Sequence, residues 1–382
     1  MKTLKIVSRI LLGLVFTFSG FVKAVDPVGS AIKFGDYFNA MGLPKLGAYS
    51  LFFAFLLSGL EFLVGFALLF NLRPKIASWG ALLFMLIFTP LTLWIALKNP
   101  VTDCGCFGDA VKLTNWETFW KNIILFALAV VLLIKIPDEA LKSNSRNVNI
   151  LLGVALLFIF IFQWYNYNHL PVIDFRPYAV GTHIPDKMIV PDDAPKDSTV
   201  TYLYYEKDGV VKEFTMDNYP WEDTTWVWKD TKTKVVQHGY MPPIHDLEIY
   251  TFEFNSLNGK SDHNILDQLL ADTSYSLLLI SYDLKTAPVK PLQDLAELMN
   301  YAQVHKYKTY FITASNSADI LKAHSKLPYI INFYLADATT LKTIIRSNPG
   351  LVLLKNGTII AKWHYNDFPD IKEFEEIINK NN

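Results

Sequence analysis

Cys104-Gly105-Cys106-Phe107-Gly108 is the run whose residue types and spacing most directly permit chemistry. Two thiols separated by one glycine can close a small ring, and Gly105 supplies the backbone freedom that closure needs. A ring so tight departs from relaxed disulfide geometry, so the bond is expected to be strained, oxidising and exchangeable. The chain has 382 residues and only 2 cysteines, so no disulfide framework can form and any role is local. The plainer alternative is a static bridge, or two thiols packed in a glycine turn. A zinc site would need further ligands, and no histidine lies nearby to supply them. Thiolate formation at Cys104 or Cys106 would begin exchange, and the flanking Asp103 and Asp109 are expected to raise both pKa values.

Glu61 is the second conspicuous residue, because it falls near the middle of an apolar segment. A charge there costs at least about 2.5–3.5 kcal/mol on insertion scales. Counting inward from the segment ends puts Arg9 at similar depth, and an Arg9–Glu61 pair would relieve both charges. A structural ion pair is the expectation, with a proton or quinone site as the sharper alternative. The 8 histidines are scattered from His169 to His364 without metal-ligand spacing, so no metal is expected. No phosphate-binding glycine loop or nucleophile elbow occurs.

The elements that must position these residues are membrane helices. The chain is 51% hydrophobic and only 19% charged, and the apolar residues cluster before about residue 165. Crossing about 30 Å of hydrocarbon takes roughly 20 helical residues. Lys5–Val25, Leu51–Phe70, Ile76–Leu97, Phe119–Ile136 and Val148–Trp164 meet that requirement. Lys23 stands where a signal-peptidase site would need small neutral residues, so the first segment is expected to be retained. Basic residues set the orientation. Lys2, Lys5, Arg9, Arg73, Lys75, Lys135, Lys142 and Arg146 mark cytoplasmic sides, which places 26–49, 99–118 and everything after Trp164 outside. A net charge of -1 argues against nucleic acid as a partner.

Within this frame, Ile32, Phe34, Tyr37, Phe38 and Met41 predict a short interfacial helix ended by Pro44. Thr114-Asn115-Trp116-Glu117 predicts a capping box at the start of the fourth membrane helix. Residues 166–262 alternate like strands. Thr201–Tyr205 and Val210–Phe214 form a hairpin, and Trp226–Trp228 and Val235–His238 bracket a charged turn. From 263 to 382 strands and helices alternate, which indicates an α/β sandwich. The expected elements are a strand at Ser276–Tyr282, helix Leu292–His305, strand Lys308–Thr313, helix Ser317–His324 and a strand near Phe333. Helix Thr339–Arg346, a hairpin across Asn356-Gly357 and a closing helix Ile371–Ile378 complete the expected order.

Two family resemblances attach to these residues. Arg9, Gly13, Ser19-Gly20, Lys23, Asp26-Pro27, Glu61-Phe62-Leu63-Val64-Gly65 and Arg73 resemble DoxX-type membrane proteins. The run Asp103-Cys104-Gly105-Cys106-Phe107-Gly108-Asp109, with Trp116 after it, looks like the signature of the methylamine-utilisation MauE branch. That resemblance covers about residues 1–136 and implies a four-helix, redox-associated membrane domain concerned with disulfides of exported proteins. The stretch from about Asn264 is similar to thioredoxin-like domains in element order, with Pro349 at that family's cis-proline position. Where the family carries two cysteines, this chain has Thr286-Ala287-Pro288-Val289, so redox activity does not carry over.

The fold class implied is a membrane all-α bundle, DoxX-like with four helices plus a fifth connecting helix, bearing an extracytoplasmic α/β thioredoxin-like domain. Its parts are 1–136, the cytoplasmic loop and fifth helix 137–165, the β-rich segment 166–262, and the α/β domain 263–382. The layout points to the inner membrane of a bacterium, multi-pass, with the C-terminal domain in the periplasm. On the first reading Cys104 and Cys106 exchange disulfides with a periplasmic or envelope protein, and the α/β domain docks that partner. Electrons would pass on to a quinone or another thiol protein; no cofactor site is evident. On the second, the bundle is an anchor, the cysteines form a static bridge, and the protein is a non-catalytic docking or assembly factor.

Overall fold

The computed structural model describes residues 2–101, 103–134, 145–237, 239–253 and 260–381. Among them, five helices are long and apolar enough to cross a membrane. These are α1 (Lys2–Val25), α3 (Ser50–Leu69), α4 (Pro74–Lys98), α5 (Asn115–Leu133) and α6 (Ser145–Asn168), and α2 (Pro27–Ala40) is the short helix between the first two. Small residues allow the bundle to close: Ala67, Ala77, Ala81 and Ala129 are buried with Leu12, Phe16, Leu68 and Met85. The opposite sides stay apolar yet exposed, as at Leu157, Ile161 and Trp164 of α6, which suits lipid rather than water. Of the cytoplasmic markers expected between the last two spans, Lys135 and Lys142 lie outside the described residues, and Arg146 is in the first turn of α6.

The chain forms two compact units, Met1–Gly181 with Glu248–Asn382, and Thr182–Leu247. The smaller unit holds α7 (Ile184–Met188) and a sheet of β1 (Ser198–Lys207), β2 (Val210–Thr215) and β3 (Val227–Gln237) in the order β2-β1-β3. Asp208 and Gly209 adopt φ of 52° and 77°, making the expected tight hairpin between β1 and β2. The charged turn expected before Val235 is absent: 229–234 continue as part of β3, with Thr231, Lys232 and Thr233 opposite Leu203, Tyr202 and Thr201. Cross-strand packing explains the difference. Lys232 and Lys234 lie 5.4 and 4.8 Å from the rings of Tyr204 and Tyr202, so their charges leave at the surface while the strand stays paired. His238 lies outside the described residues.

The α/β domain contains β4 (Tyr250–Phe252), β5 (Lys260–Asn264), α8 (Leu266–Leu270), β6 (Tyr275–Ser281), α9 (Val289–Asp294), α10 (Ala296–Val304) and β7 (Lys308–Thr313). It continues through α11 (Ser317–His324), β8 (Asn332–Leu335), α12 (Ala338–Ile344), β9 (Gly350–Lys355), β10 (Thr358–His364) and α13 (Ile371–Lys380). The sheet order is β10-β9-β6-β7-β8-β4-β5, parallel across β6-β7-β8 and antiparallel elsewhere. Every residue of β6 is buried, as expected for a central strand covered on both faces. Two expected helices are corrected. Leu292–His305 divides at Leu295 into α9 and α10. α12 stops at Ile344, because Ile345 is extended (φ -146°, ψ 133°) and releases Arg346 from the helix.

Candidate functional site

The site begins with the contact between α1 and α3. A Cβ on Gly65 would lie 2.2 Å from Thr17 N, and one on Gly20 would lie 2.4 Å from Phe62 N. The two backbones touch there, as small residues allow in membrane helix pairs. That contact fixes an antiparallel register in which Ser19 and Lys23 face Glu61. Lys23 Nζ donates to Glu61 Oε1 and Oε2 at 2.9 and 2.7 Å, and Ser19 Oγ lies 2.9 Å from Oε2. The acid is 3% exposed and the lysine 9%, so each charge depends on the other.

The Arg9–Glu61 pair is therefore not formed. Arg9 Nη1 instead donates to Leu68 O and Leu69 O at 3.0 and 3.3 Å, covering carbonyls at the C-terminal end of α3. Depth counted from segment ends misplaced it, because the glycine contacts and not the ends set the register.

Ser19 links this pair to the dithiol loop, since its hydroxyl also lies 2.8 Å from Cys106 O. It accepts from Lys23 Nζ at 3.1 Å and, with one proton, donates to Glu61 or to the carbonyl in turn. The loop is held on its other side by α2. Tyr37 donates its hydroxyl to Cys104 O, and Lys33 pairs with Asp103 at 2.9 Å. Asp103 also accepts from Gly105 N–H at 2.9 Å. Gly105 and Gly108 have φ of 60° and 52°, the left-handed region that a side chain resists.

From the third side comes the start of α5. The expected capping box is formed: Thr114 N–H donates to Glu117 Oε2 at 2.8 Å and Glu117 N–H to Thr114 Oγ1 at 3.3 Å. The first turns of α5 then present Thr118, Lys121 and Asn122. Thr118 Oγ1 is 3.3 Å from Cys104 Sγ, and Lys121 Nζ stands 4.2 Å from the Phe107 ring. Ser19, Lys23, Glu61, Cys106, Lys121 and Asn122 share one cavity of about 40 Å³.

The two cysteines are free thiols with their sulfurs 2.8 Å apart. Their surroundings are unequal. The hydrogen bond between them is the largest influence on Cys104; burial opposes it, and Thr118, the Cys106 N–H and the Lys121 charge assist it. Together they bring Cys104 down to about 6. The same bond and burial push Cys106 up. The expected acidic influence of Asp103 and Asp109 is thus reversed at Cys104. Asp103 is paired with Lys33, and Asp109 lies 3.5 Å from Arg346. Cys104 is 9% exposed, whereas Cys106 is half-buried.

Residues 1–135, which carry this whole dithiol geometry, match the family described as methylamine utilisation protein MauE. Helices α1 to α5 are MauE-like. Residues 199–238, spanning β1 to β3, match a family described as Domain of unknown function (DUF8463). Neither the curated proteins nor the solved structures gave a match.

The MauE-like helices are tied to the α/β domain beside the dithiol loop. Arg346, freed from α12, donates from Nε to Asp26 Oδ2 at 2.8 Å, and its Nη2 lies 3.5 Å from Asp109 Oδ2. Asp109 closes the cysteine run, and Asp26 caps α2 through Gly29 N–H at 2.8 Å. Pro349 follows three residues later, and the Asn348–Pro349 bond is cis. Asn348 accepts from Ser281 Oγ and donates to Asp283 O, both at 2.8 Å, which sets this loop against the cysteine-free turn after β6.

Burial would raise the Asp26 carboxyl, but Arg346 and Arg176 overcome it and hold it below the usual carboxylate range. A depressed carboxyl stabilises the fold above its unfolded pKa, near 4, and that contribution is lost as pH falls through the folded value. Arg346→Ala is expected to cost on the order of 2 kcal/mol at pH 7, less than a fully buried pair because Asp26 keeps some contact with solvent. Thermal unfolding of both proteins in detergent should show the gap narrowing below pH 4. A gap of constant size would exclude Asp26 as the partner that matters.

Of the residues expected from sequence, Cys104, Cys106 and Glu61 are brought into one region, and Arg346 joins the Pro349 loop to it. Arg9 is elsewhere. Ser19, Lys23, Thr118 and Lys121 were not singled out as site residues. Lys23 had a legible signal, as a charge one turn beyond Ser19 in an apolar helix.

Proposed function

We propose that this MauE-like protein is a membrane thiol oxidant that exchanges the Cys104–Cys106 disulfide with a dithiol of a protein partner. The observation that carries this reading is the inequality of two cysteines whose sulfurs touch: Cys104, the more buried residue, with a depressed pKa, and Cys106, the more exposed residue, with a raised one. A partner thiolate attacks Cys106 Sγ, the sulfur of the cysteine that lines the cavity, and the Cys104–Cys106 bond breaks with Cys104 leaving as the stabilised thiolate. Low leaving-group pKa speeds this step and favours the reduced form, which makes the disulfide oxidising. The partner's second thiol, deprotonated, then attacks its own sulfur in the mixed disulfide. The partner leaves oxidised, Cys106 takes up one proton, and a second proton goes to solvent. Two electrons rest on the pair, to be removed by an acceptor of the disulfide or quinone class.

On this reading the protein sits in a bacterial inner membrane with the dithiol loop facing the periplasm, a placement supported by the basic residues at Lys5, Arg9, Arg73 and Lys75. The α/β domain is a thioredoxin-like docking module, supported by the parallel β6-β7-β8 core followed by the β9–β10 hairpin. Its lack of cysteines leaves the chemistry to the membrane domain.

The test is a graded thiol titration of the full chain in native membranes, with acid trapping and mass-tag alkylation. The pair should titrate at a potential above about -200 mV, the range of strong thiol oxidants. After reduction, Cys104 alkylation should rise with pH to half-maximum near 6 rather than near 9. A pair locked in either state would overturn the exchange reading and leave a docking protein with a static pair.

A further inference from the structure

The dithiol site holds three lysines, and two of them are answered by carboxylates. Lys23 is bound to Glu61, and Lys33 to Asp103. Lys121 has no carboxylate partner among the described residues; Glu117, one turn before it, is engaged in the Thr114 cap. Its ammonium is placed by the Phe107 ring, the residue directly after Cys106, and it lines the same cavity as Cys106. It lies one turn beyond Thr118, whose hydroxyl touches Cys104 Sγ, so a single face of α5 presents both groups to the dithiol. A lysine near a helix end can reach water, so its position over the Phe107 ring and in the cavity beside Cys106 points to a role at the dithiol.

Resting on the exchange reading, we propose that Lys121 tunes the oxidising strength of the pair, its ammonium being a counter-charge for the Cys104 thiolate when the disulfide opens. The placement accounts for an otherwise idle charge. When the disulfide is closed the sulfurs are neutral and Lys121 is held only by the aromatic face. When a partner thiolate attacks Cys106 Sγ, the electron pair of the broken bond passes to Cys104 Sγ, and the new anion falls within the field of Lys121 while Thr118 and the Cys106 N–H donate to it. Lys23 already faces Glu61, so it contributes little to that moment. Lys121 acts through the sulfur and is a positioning residue.

The experiment compares full-length wild type, Lys121→Met, Lys121→Gln and Lys121→Arg in detergent, titrated against glutathione redox buffer, whose potential lies near the expected range. Cys104 alkylation is followed against pH in the reduced state. Lys121→Met and Lys121→Gln are expected to shift the exchange equilibrium about tenfold toward the disulfide, about 30 mV for this two-electron couple. Their alkylation profiles should move to higher pH, and Lys121→Arg should keep both properties near wild type. If neither neutral variant moves the potential or the profile while wild type titrates, this inference fails and the exchange reading stands. If wild type itself does not titrate, the exchange reading fails and takes this inference with it. Should Lys121→Met not fold, Lys121→Gln carries the comparison.

Discussion

Cys104→Ser is expected to accumulate mixed disulfides on Cys106, whereas Cys106→Ser should leave Cys104 largely unmodified, with exchange falling to background in both. The asymmetry follows from the geometry of the loop. Cys106 is the more exposed residue and lines the cavity, and Cys104 is covered by α2, α5 and Cys106 itself. With Cys104 gone, Cys106 joins an oxidised partner by attacking its disulfide, releasing one partner thiolate, and no Cys104 thiolate is present to expel the partner from the adduct, which leaves that released thiol to resolve it. With Cys106 gone, the remaining thiol is buried, and it also loses its strongest hydrogen bond, so its pKa should climb back from about 6. Non-reducing electrophoresis of trapped membranes reads the adducts, and mass spectrometry assigns the sulfur. Adducts on Cys104 in Cys106→Ser would reverse the assigned order of attack. Loss of both proteins from the membrane would favour a structural bridge.

The second large effect is expected at the buried charge pair. Glu61→Gln leaves the Lys23 ammonium, 9% exposed, without a carboxylate inside a helical bundle. Removing one partner of a buried pair costs about 3–5 kcal/mol, because the surviving charge is left desolvated. Lys23→Met should cost a similar amount for the same reason. Combining Lys23→Met with Glu61→Leu removes both charges, and such replacements by apolar side chains are often neutral or stabilising. A double-mutant cycle on thermal unfolding should therefore show strong coupling. Additive losses, or a Glu61→Gln protein as stable as wild type, would mean that the pair contributes nothing to the fold. The same series separates scaffold from chemistry: the double variant keeps Cys104, Cys106 and Lys121, so it should retain a titrating dithiol.

The parts of this protein legible in the sequence are those governed by local pattern. Membrane spans need only length and apolarity, and five helices of that kind are present. The capping box at Thr114–Glu117 and the hairpin at Asn356–Gly357 are encoded within a few residues and appear where expected. The strands Lys308–Thr313 and Ser276–Ser281 follow from runs that only a covered sheet can bury. The expected turn within 229–234 failed because charge suggested a loop while cross-strand tyrosines stabilised a strand. No single segment contains that information.

For the site, the sequence by itself determined which atoms could react, since two cysteines one residue apart are the whole thiol complement of the chain. It also determined that Glu61 must find a cation, because an ionised carboxylate cannot remain alone in hydrocarbon. Only the tertiary structure decided which cation. Gly20 and Gly65 let α1 and α3 approach to backbone contact, and that register delivers Lys23 to Glu61 while Arg9 goes to the end of α3. Tertiary structure also decided how Cys104 and Cys106 differ, through the hydrogen bond between their sulfurs and the Thr118 hydroxyl of α5, while Asp103 and Asp109 are paired from α2 and the α/β domain. The physical reason is common to both cases. The choice between partners and the balance of fields at a sulfur depend on distances across helices, and sequence spacing fixes distances only along one.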